Sequence, residues 1–179
     1  MKRVYKMDED MGRLLLYSQK RIADEVQRLA GEISASYAGE DLLLVVVLKG
    51  AFFFAADLAR QIRLPLAIDF IELSSYNGTE SSGSVTITKD LETSIAGRHV
   101  LVVEDIIDTG LTLAFLLDRL RERSPKSLRV CTLIDKQERR RVEVAADYVG
   151  IACEGGFLVG YGLDLDEKLR ELPEIYEFI

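Results

Sequence analysis

Residues Leu42–Leu48 form an unbroken apolar run, Leu-Leu-Leu-Val-Val-Val-Leu. A strand with one wet face would alternate polar and apolar residues. A membrane span would need about 20 residues. A β-rich run of this length therefore predicts a strand buried on both faces, as in a parallel sheet covered by helices. His99–Glu104 (HVLVVE) and Leu128–Ile134 repeat the pattern, and Leu66–Leu73 predicts another strand. Ser84–Lys89 alternates through Val85 and Ile87, as a partly exposed strand does. Tyr148–Cys153 and Phe157–Tyr161 predict short strands.

Helical spacing separates these runs. Leu15, Ile22, Val26 and Leu29 recur at intervals near three and four between Met11 and Ile33, with Asp8 as a candidate cap. Ala51–Ile62 predicts a second helix. In a third, Leu113, Leu116, Leu117 and Leu120 face away from Asp118, Arg119, Arg121 and Glu122. Alternating strands and helices give an α/β fold with a mostly parallel sheet. At 179 residues, with no repeat and no linker, the chain is expected to form one domain.

The net charge of −7 and a pI near 4.9 oppose a nucleic-acid binder, whose affinity comes largely from neutralising phosphates. Cys131 and Cys153 are far apart with no CxxC, and are expected as buried apolar residues. The lone histidine, His99, sits after Gly97-Arg98 and is expected in a solvated turn. No zinc site is expected. The basic start, Met1–Lys6, lacks the apolar stretch of a signal peptide. A cytoplasmic protein without a membrane span is expected.

In open α/β sheets, ligands bind at the carboxyl ends of the strands. Three predicted strands end in Lys49-Gly50, Glu104-Asp105 and Asp135-Lys136. The richest run is Val102-Val103-Glu104-Asp105-Ile106-Ile107-Asp108-Thr109-Gly110-Leu111-Thr112. Two carboxylates close an apolar strand, where burial without partners would be costly. They need water, a cation or hydroxyls. A hydroxyl-bearing glycine turn then enters a helix, whose free N–H groups and positive dipole end suit a phosphate. The combination describes a ribose phosphate. A solvated acidic turn capped by Asp108 fits the same spacing. No GxxxxGK[ST] or GxGxxG is present.

This run resembles the signature by which phosphoribosyltransferases bind 5-phosphoribosyl diphosphate (PRPP), in the form seen in the hypoxanthine enzymes. Leu48-Lys49-Gly50, Ser74-Ser75-Tyr76, Thr132–Lys136, Phe157–Asp164, Asp166-Glu167-Lys168 and Arg170–Pro173 follow in that family's order. The resemblance covers roughly Leu42–Pro173.

It implies a type I phosphoribosyltransferase fold: a mostly parallel twisted sheet flanked by helices, with a small hood. The core would span roughly 35–150 and the hood roughly 1–10 and 151–179. It also implies magnesium, the substrates PRPP and a 6-oxopurine, and a homodimer or homotetramer. Glu104 and Asp105 would hold the ribose hydroxyls, and Asp108, Thr109, Gly110, Leu111 and Thr112 the 5′-phosphate. Ile106 and Ile107 belong to the same nucleotide-binding run. Asp108 would be the catalytic base at purine N7. Lys49, Gly50 and Arg170 would receive pyrophosphate, with a cis peptide at Leu48–Lys49. Glu104, Asp105 and Asp164 would bind the metal. Lys136, Phe157 and Leu158, beside Asp164, would form the purine site. Ser75 and Tyr76 would belong to a lid over residues 74–83.

Read without the family, several of these residues have plainer roles. Lys136 suits a solvated strand end, Phe157 a core aromatic and residues 74–83 an ordinary surface loop. Three positions depart from the family pattern. Leu111 stands where some members carry lysine, which points to a bacterial type. Gln137 replaces an expected proline, and Ala152–Gly156 replaces a more β-branched stretch beside the base pocket.

Overall fold

The computed structural model describes residues 7–8, 12–75 and 85–178. Strand β3 (Leu42–Leu48) lies near the middle of a six-stranded sheet. The others are β4 (Leu66–Ser75), β5 (Val85–Lys89), β6 (His99–Ile107), β7 (Ser127–Lys136) and β8 (Tyr148–Cys153). Their order is β5-β4-β3-β6-β7-β8. All neighbours pair in parallel except β5, which runs antiparallel to β4 at one edge.

The β3 run is buried on both faces because helices cover both. Leu42, Leu44 and Val46 face one core, with α1 (Gln19–Ser36) and α2 (Phe52–Gln61). Leu43, Val45 and Val47 face the other, with α3 (Leu111–Arg121). Side-chain alternation along a strand thus divides one apolar run between two cores.

The helix expected from Met11 begins at Gln19. Arg13–Tyr17 is instead strand β2, and Ser18 caps α1, its Oγ accepting from Arg21 N at 3.3 Å. Asp8 is therefore not the cap; it lies in strand β1 (Met7–Asp8), paired with Arg13. Along α1, Ile22, Val26, Leu29, Ala30 and Ile33 are buried at helical spacing. Buried Glu25 pairs with Arg21 and Arg28, each at 2.8 Å.

A second sheet has the order β1-β2-β10-β9, with β9 at Phe157–Val159 and β10 at Ile175–Phe178. Its Tyr17, Leu158 and Ile175 join the core beneath α1 and α2. β8 and β9, close in sequence, thus belong to different sheets.

His99 is not in a solvated turn. It opens β6 with its side chain 17% exposed, packs edge-on against Tyr37, and hydrogen-bonds Ser127 at 2.7 Å. Cys131 and Cys153 are buried and unbridged. Among the described residues no helix is long and apolar enough to cross a membrane.

Candidate active site

β6 runs three residues past Glu104, pairing Ile106 with Ile134 and Ile107 with Asp135 of β7. The two acids therefore lie within the sheet, in the last turns of the strand. Glu104 is buried. Burial holds its carboxyl well above the usual range, and the neighbouring Asp105 charge adds to this. Burial raises Asp105 too, although Glu104, the Ile106 N–H at 2.8 Å and the Arg170 charge pull it back. Two acids disfavoured as ions suit a site that supplies a cation or donor hydroxyls. They line a cavity of about 280 Å³ with Gly50, Leu73, the run from Ile106 to Gly110, Thr112 and Leu113.

Gly110 turns the chain into α3 with φ 81°, a backbone conformation that residues other than glycine rarely adopt. A Cβ there would also press on Val144 and Val142. The first N–H groups of α3 have no intrahelical partner and open beside this cavity. Leu111, 41% exposed, is not among its lining residues.

Arg140 fastens this turn from behind. Its guanidinium donates to the carbonyls of Asp108 (3.0 Å), Ile107 (3.2 Å), Val144 (2.7 Å) and Lys136 (3.4 Å), and to the Asp135 carboxylate. The Arg141 N–H adds a bond to Thr109 O at 2.9 Å. Sequence reasoning missed Arg140, because Gln137-Glu138-Arg139-Arg140-Arg141 has the composition of a solvated turn. Nothing local separates it from the arginines on either side. The same turn is closed by Arg140 N to Gln137 O at 3.1 Å without the expected proline.

Lys136 is not a solvated lysine: its side chain is 7% exposed. Its Nζ donates to Gly156 O at 2.8 Å and stands 3.7 Å from Asp108 Oδ1. Arg139 approaches the other Asp108 oxygen at 3.6 Å. Asp108 Oδ1 is buried with no hydrogen-bond partner. Phe157, next after Gly156, is not a core aromatic. It is half exposed, edge-on to Phe178, while Leu158 is buried. In the divergent 152–156 stretch, a Cβ on Gly155 would collide with the Glu138 carboxylate, and one on Gly156 with that of Glu177.

On the opposite side of Asp105, the Leu48–Lys49 peptide is cis. A Cβ on Gly50 would collide with the Asp105 carboxylate, and one on Gly162 with the Gly50 carbonyl. Backbone therefore stacks on backbone here, with Asp105 beneath. Arg170 donates to Gly162 O at 2.7 Å and pairs with Asp164 at 2.9 Å. Its Nε is buried and unpartnered. Lys49 pairs with Glu167 at 3.3 Å.

Lys49 and Arg170 thus meet at one carboxylate, whereas Lys136 and Asp108 form a separate group across the cavity. Among the described residues no three acidic, His or Cys side chains converge as a metal cage. Ser74 and Ser75, expected in a loop, end β4, where Ser75 pairs with Val85. Tyr76 and the rest of that loop lie outside the described residues.

The family model for the phosphoribosyl transferase domain matches residues 15–166. The chain is 46% identical over 170 residues to the hypoxanthine-guanine-xanthine phosphoribosyltransferase of Tritrichomonas foetus, covering 94% of this chain and 92% of that protein. It is 45% identical over 170 residues to the hypoxanthine-guanine phosphoribosyltransferase of Bacillus subtilis, covering 94% of each. The Trypanosoma cruzi hypoxanthine phosphoribosyltransferase, solved with its product IMP, superposes with a TM-score of 0.89 at 40% identity over 97% of each chain. With the parallel sheet and the acid-to-glycine turn in place, the chain belongs to the phosphoribosyltransferase family, in its hypoxanthine-guanine branch.

Proposed function

We propose that this protein salvages purines in the cytoplasm, moving the 5-phosphoribosyl group of PRPP to N9 of hypoxanthine or guanine. The products are IMP or GMP and pyrophosphate. One observation carries the reading. The buried, unpartnered Asp108 oxygen lies between a phosphate-binding helix start and the buried Lys136 ammonium. Phosphate on one side and a base-reading donor on the other define the two ends of a nucleotide.

The roles follow from chemistry. The C–O bond at ribose C1 breaks and the bond to N9 forms, through a transition state with positive charge on the sugar. Glu104 and Asp105 accept from the ribose 2′ and 3′ hydroxyls. The N–H groups and hydroxyls from Thr109 to Thr112 hold the 5′-phosphate. Asp108 takes the proton that the purine N7 carries, and its charge favours the sugar cation. Lys136, a pure donor, meets the purine O6; adenine would oppose it with another donor. A site built on such a bond rejects the wrong base by roughly 10⁴. Phe157 stacks on the ring, and the Leu158 backbone reads its edge. Lys49, Gly50 and Arg170 receive the pyrophosphate.

Magnesium fits the donor set, because it is commonly held by one or two carboxylates with substrate phosphates and water completing the shell. Glu104, Asp105 and Asp164 would offer those carboxylates, one or two of them at a time, and the ion would neutralise the leaving group. The same reading takes residues 1–179 as one domain forming a homodimer or homotetramer. Phe52 and Phe53, both exposed on α2, supply an apolar edge for association.

The test is a screen of hypoxanthine, guanine, xanthine and adenine with PRPP and magnesium, following nucleotide and pyrophosphate. IMP and GMP are expected, with adenine inert. No product from any 6-oxopurine would defeat the proposal.

A further inference from the structure

Glu167 has no part in the chemistry above, yet it touches both side chains assigned to pyrophosphate. Its Oε2 lies 3.3 Å from Lys49 Nζ and 3.3 Å from Arg170 Nη2. Lys49 is 118 residues away in sequence, so the meeting is a product of the fold. One carboxylate oxygen thus receives two cations from different loops, as a phosphate oxygen would.

The turn that carries Glu167 is built in a costly way. Asp166, Glu167 and Leu169 have φ of 49°, 62° and 71°, in the left-handed region that residues with a Cβ seldom occupy. Reciprocal bonds between Leu165 and Lys168, at 3.1 and 3.0 Å, close the turn. The Glu167 N–H donates to Asp164 Oδ2 at 2.9 Å. A strained turn held this firmly points to a use for the side chain it presents.

We propose that Glu167 is a built-in stand-in for the substrate's pyrophosphate, occupying Lys49 and Arg170 until that group displaces it. This rests on the assignment of those two cations under Proposed function. The pairs open to solvent on the Glu167 side: Glu167 is 64% and Lys49 56% accessible, with Arg170 at 21%. They are therefore weak enough for a polyanion to break. In the free protein they mask two cations that would otherwise attract any small anion. After reaction, the returning carboxylate competes with pyrophosphate and hastens its release.

The experiment is calorimetric binding of magnesium pyrophosphate, and separately of IMP, to the whole chain and to Glu167→Gln. Removing the competitor should tighten pyrophosphate binding roughly threefold to tenfold, the scale of ion pairs that water can reach. IMP, which lacks the pyrophosphate, should bind within about twofold of the original. Glu167→Ala should give the same pattern, which guards against a defect peculiar to glutamine. Unchanged or weaker pyrophosphate binding in both variants, with IMP binding intact, would sink the stand-in and make Glu167 a residue that positions the cations. If the unaltered protein binds neither ligand, the functional reading falls as well.

Discussion

Asp108 and Lys136 show how burial changes what a charged side chain can do. Each is a residue type common at strand ends, and each would be unremarked in water. Here the ammonium has a carbonyl at 2.8 Å and a carboxylate at 3.7 Å, and one Asp108 oxygen is left without a hydrogen bond. A buried acceptor without a partner is unfavourable unless a ligand completes it. Asp108→Asn keeps the shape and removes the ability to take a proton. Turnover should fall by about 10²-fold while PRPP still binds. Single-turnover kinetics alongside PRPP titration would separate the two effects, and unchanged turnover would remove Asp108 from catalysis.

At the scale of elements, Arg140 joins the end of β6 to the end of β7. Its bonds to Ile107 and Asp108 on one side, and Asp135 and Lys136 on the other, set the distance between the Asp108–Gly110 turn and the Lys136 ammonium. Arg140→Ala would strand several carbonyls and the Asp135 carboxylate. A loss of about 3 kcal/mol is expected. The PRPP KM should rise by about tenfold, measurable beside a melting curve. Asp69, on β4, plays a comparable part away from the site. Its carboxylate accepts from the N–H groups of Phe70, Glu92 and Thr93, fastening the chain after β5.

Burial alone would raise the Asp69 carboxyl, but the bonds from Thr93, Phe70 and Glu92 outweigh it and hold it below its usual value. Folded Asp69 thus gives up its proton more readily than unfolded Asp69. Its stabilisation is complete above the unfolded pKa, near 4, and is lost as pH falls through the lower folded value. Asp69→Ala should lower stability by roughly 3 kcal/mol at pH 7. The gap in melting temperature from the original protein should narrow below about pH 4. A gap that stays constant down to pH 2 would refute the assignment.

The whole molecule reconciles an acidic surface with a highly anionic substrate. Net charge governs long-range attraction, whereas capture depends on local donors. In the proposed reaction those donors would be the start of α3, Lys49, Arg170 and Lys136. A nucleotide bound between Asp108 and Phe157 would tie the main sheet to the smaller one, because Phe157 opens β9. IMP at about 100 times its dissociation constant adds roughly 2.7 kcal/mol. The melting temperature should then rise by about 5–10 °C for a chain of this size. Differential scanning fluorimetry with IMP, and adenosine monophosphate as control, would read it.

Local sequence determined which segments are buried and which turn carries the candidate phosphate site. The β3 run reads as a two-faced strand because seven adjacent apolar residues, three of them β-branched, suit a short segment covered on both sides. The acid-to-glycine run around Asp108 is legible because its chemistry is complete within one stretch of chain. Long-range pairing decided the rest. Leu14, Leu15 and Leu16 fit a helix as well as a strand, and pairing with β1 and with β10, about 160 residues later, makes them β2. Arg139, Arg140 and Arg141 are equivalent in composition, and only the carbonyls of β6 and β7 single out Arg140. Glu167 meets Lys49 across 118 residues. Periodicity reports which face of a segment is dry. It carries no information on which distant backbone or charge will lie against that face, and that contact sets both pairing and electrostatics.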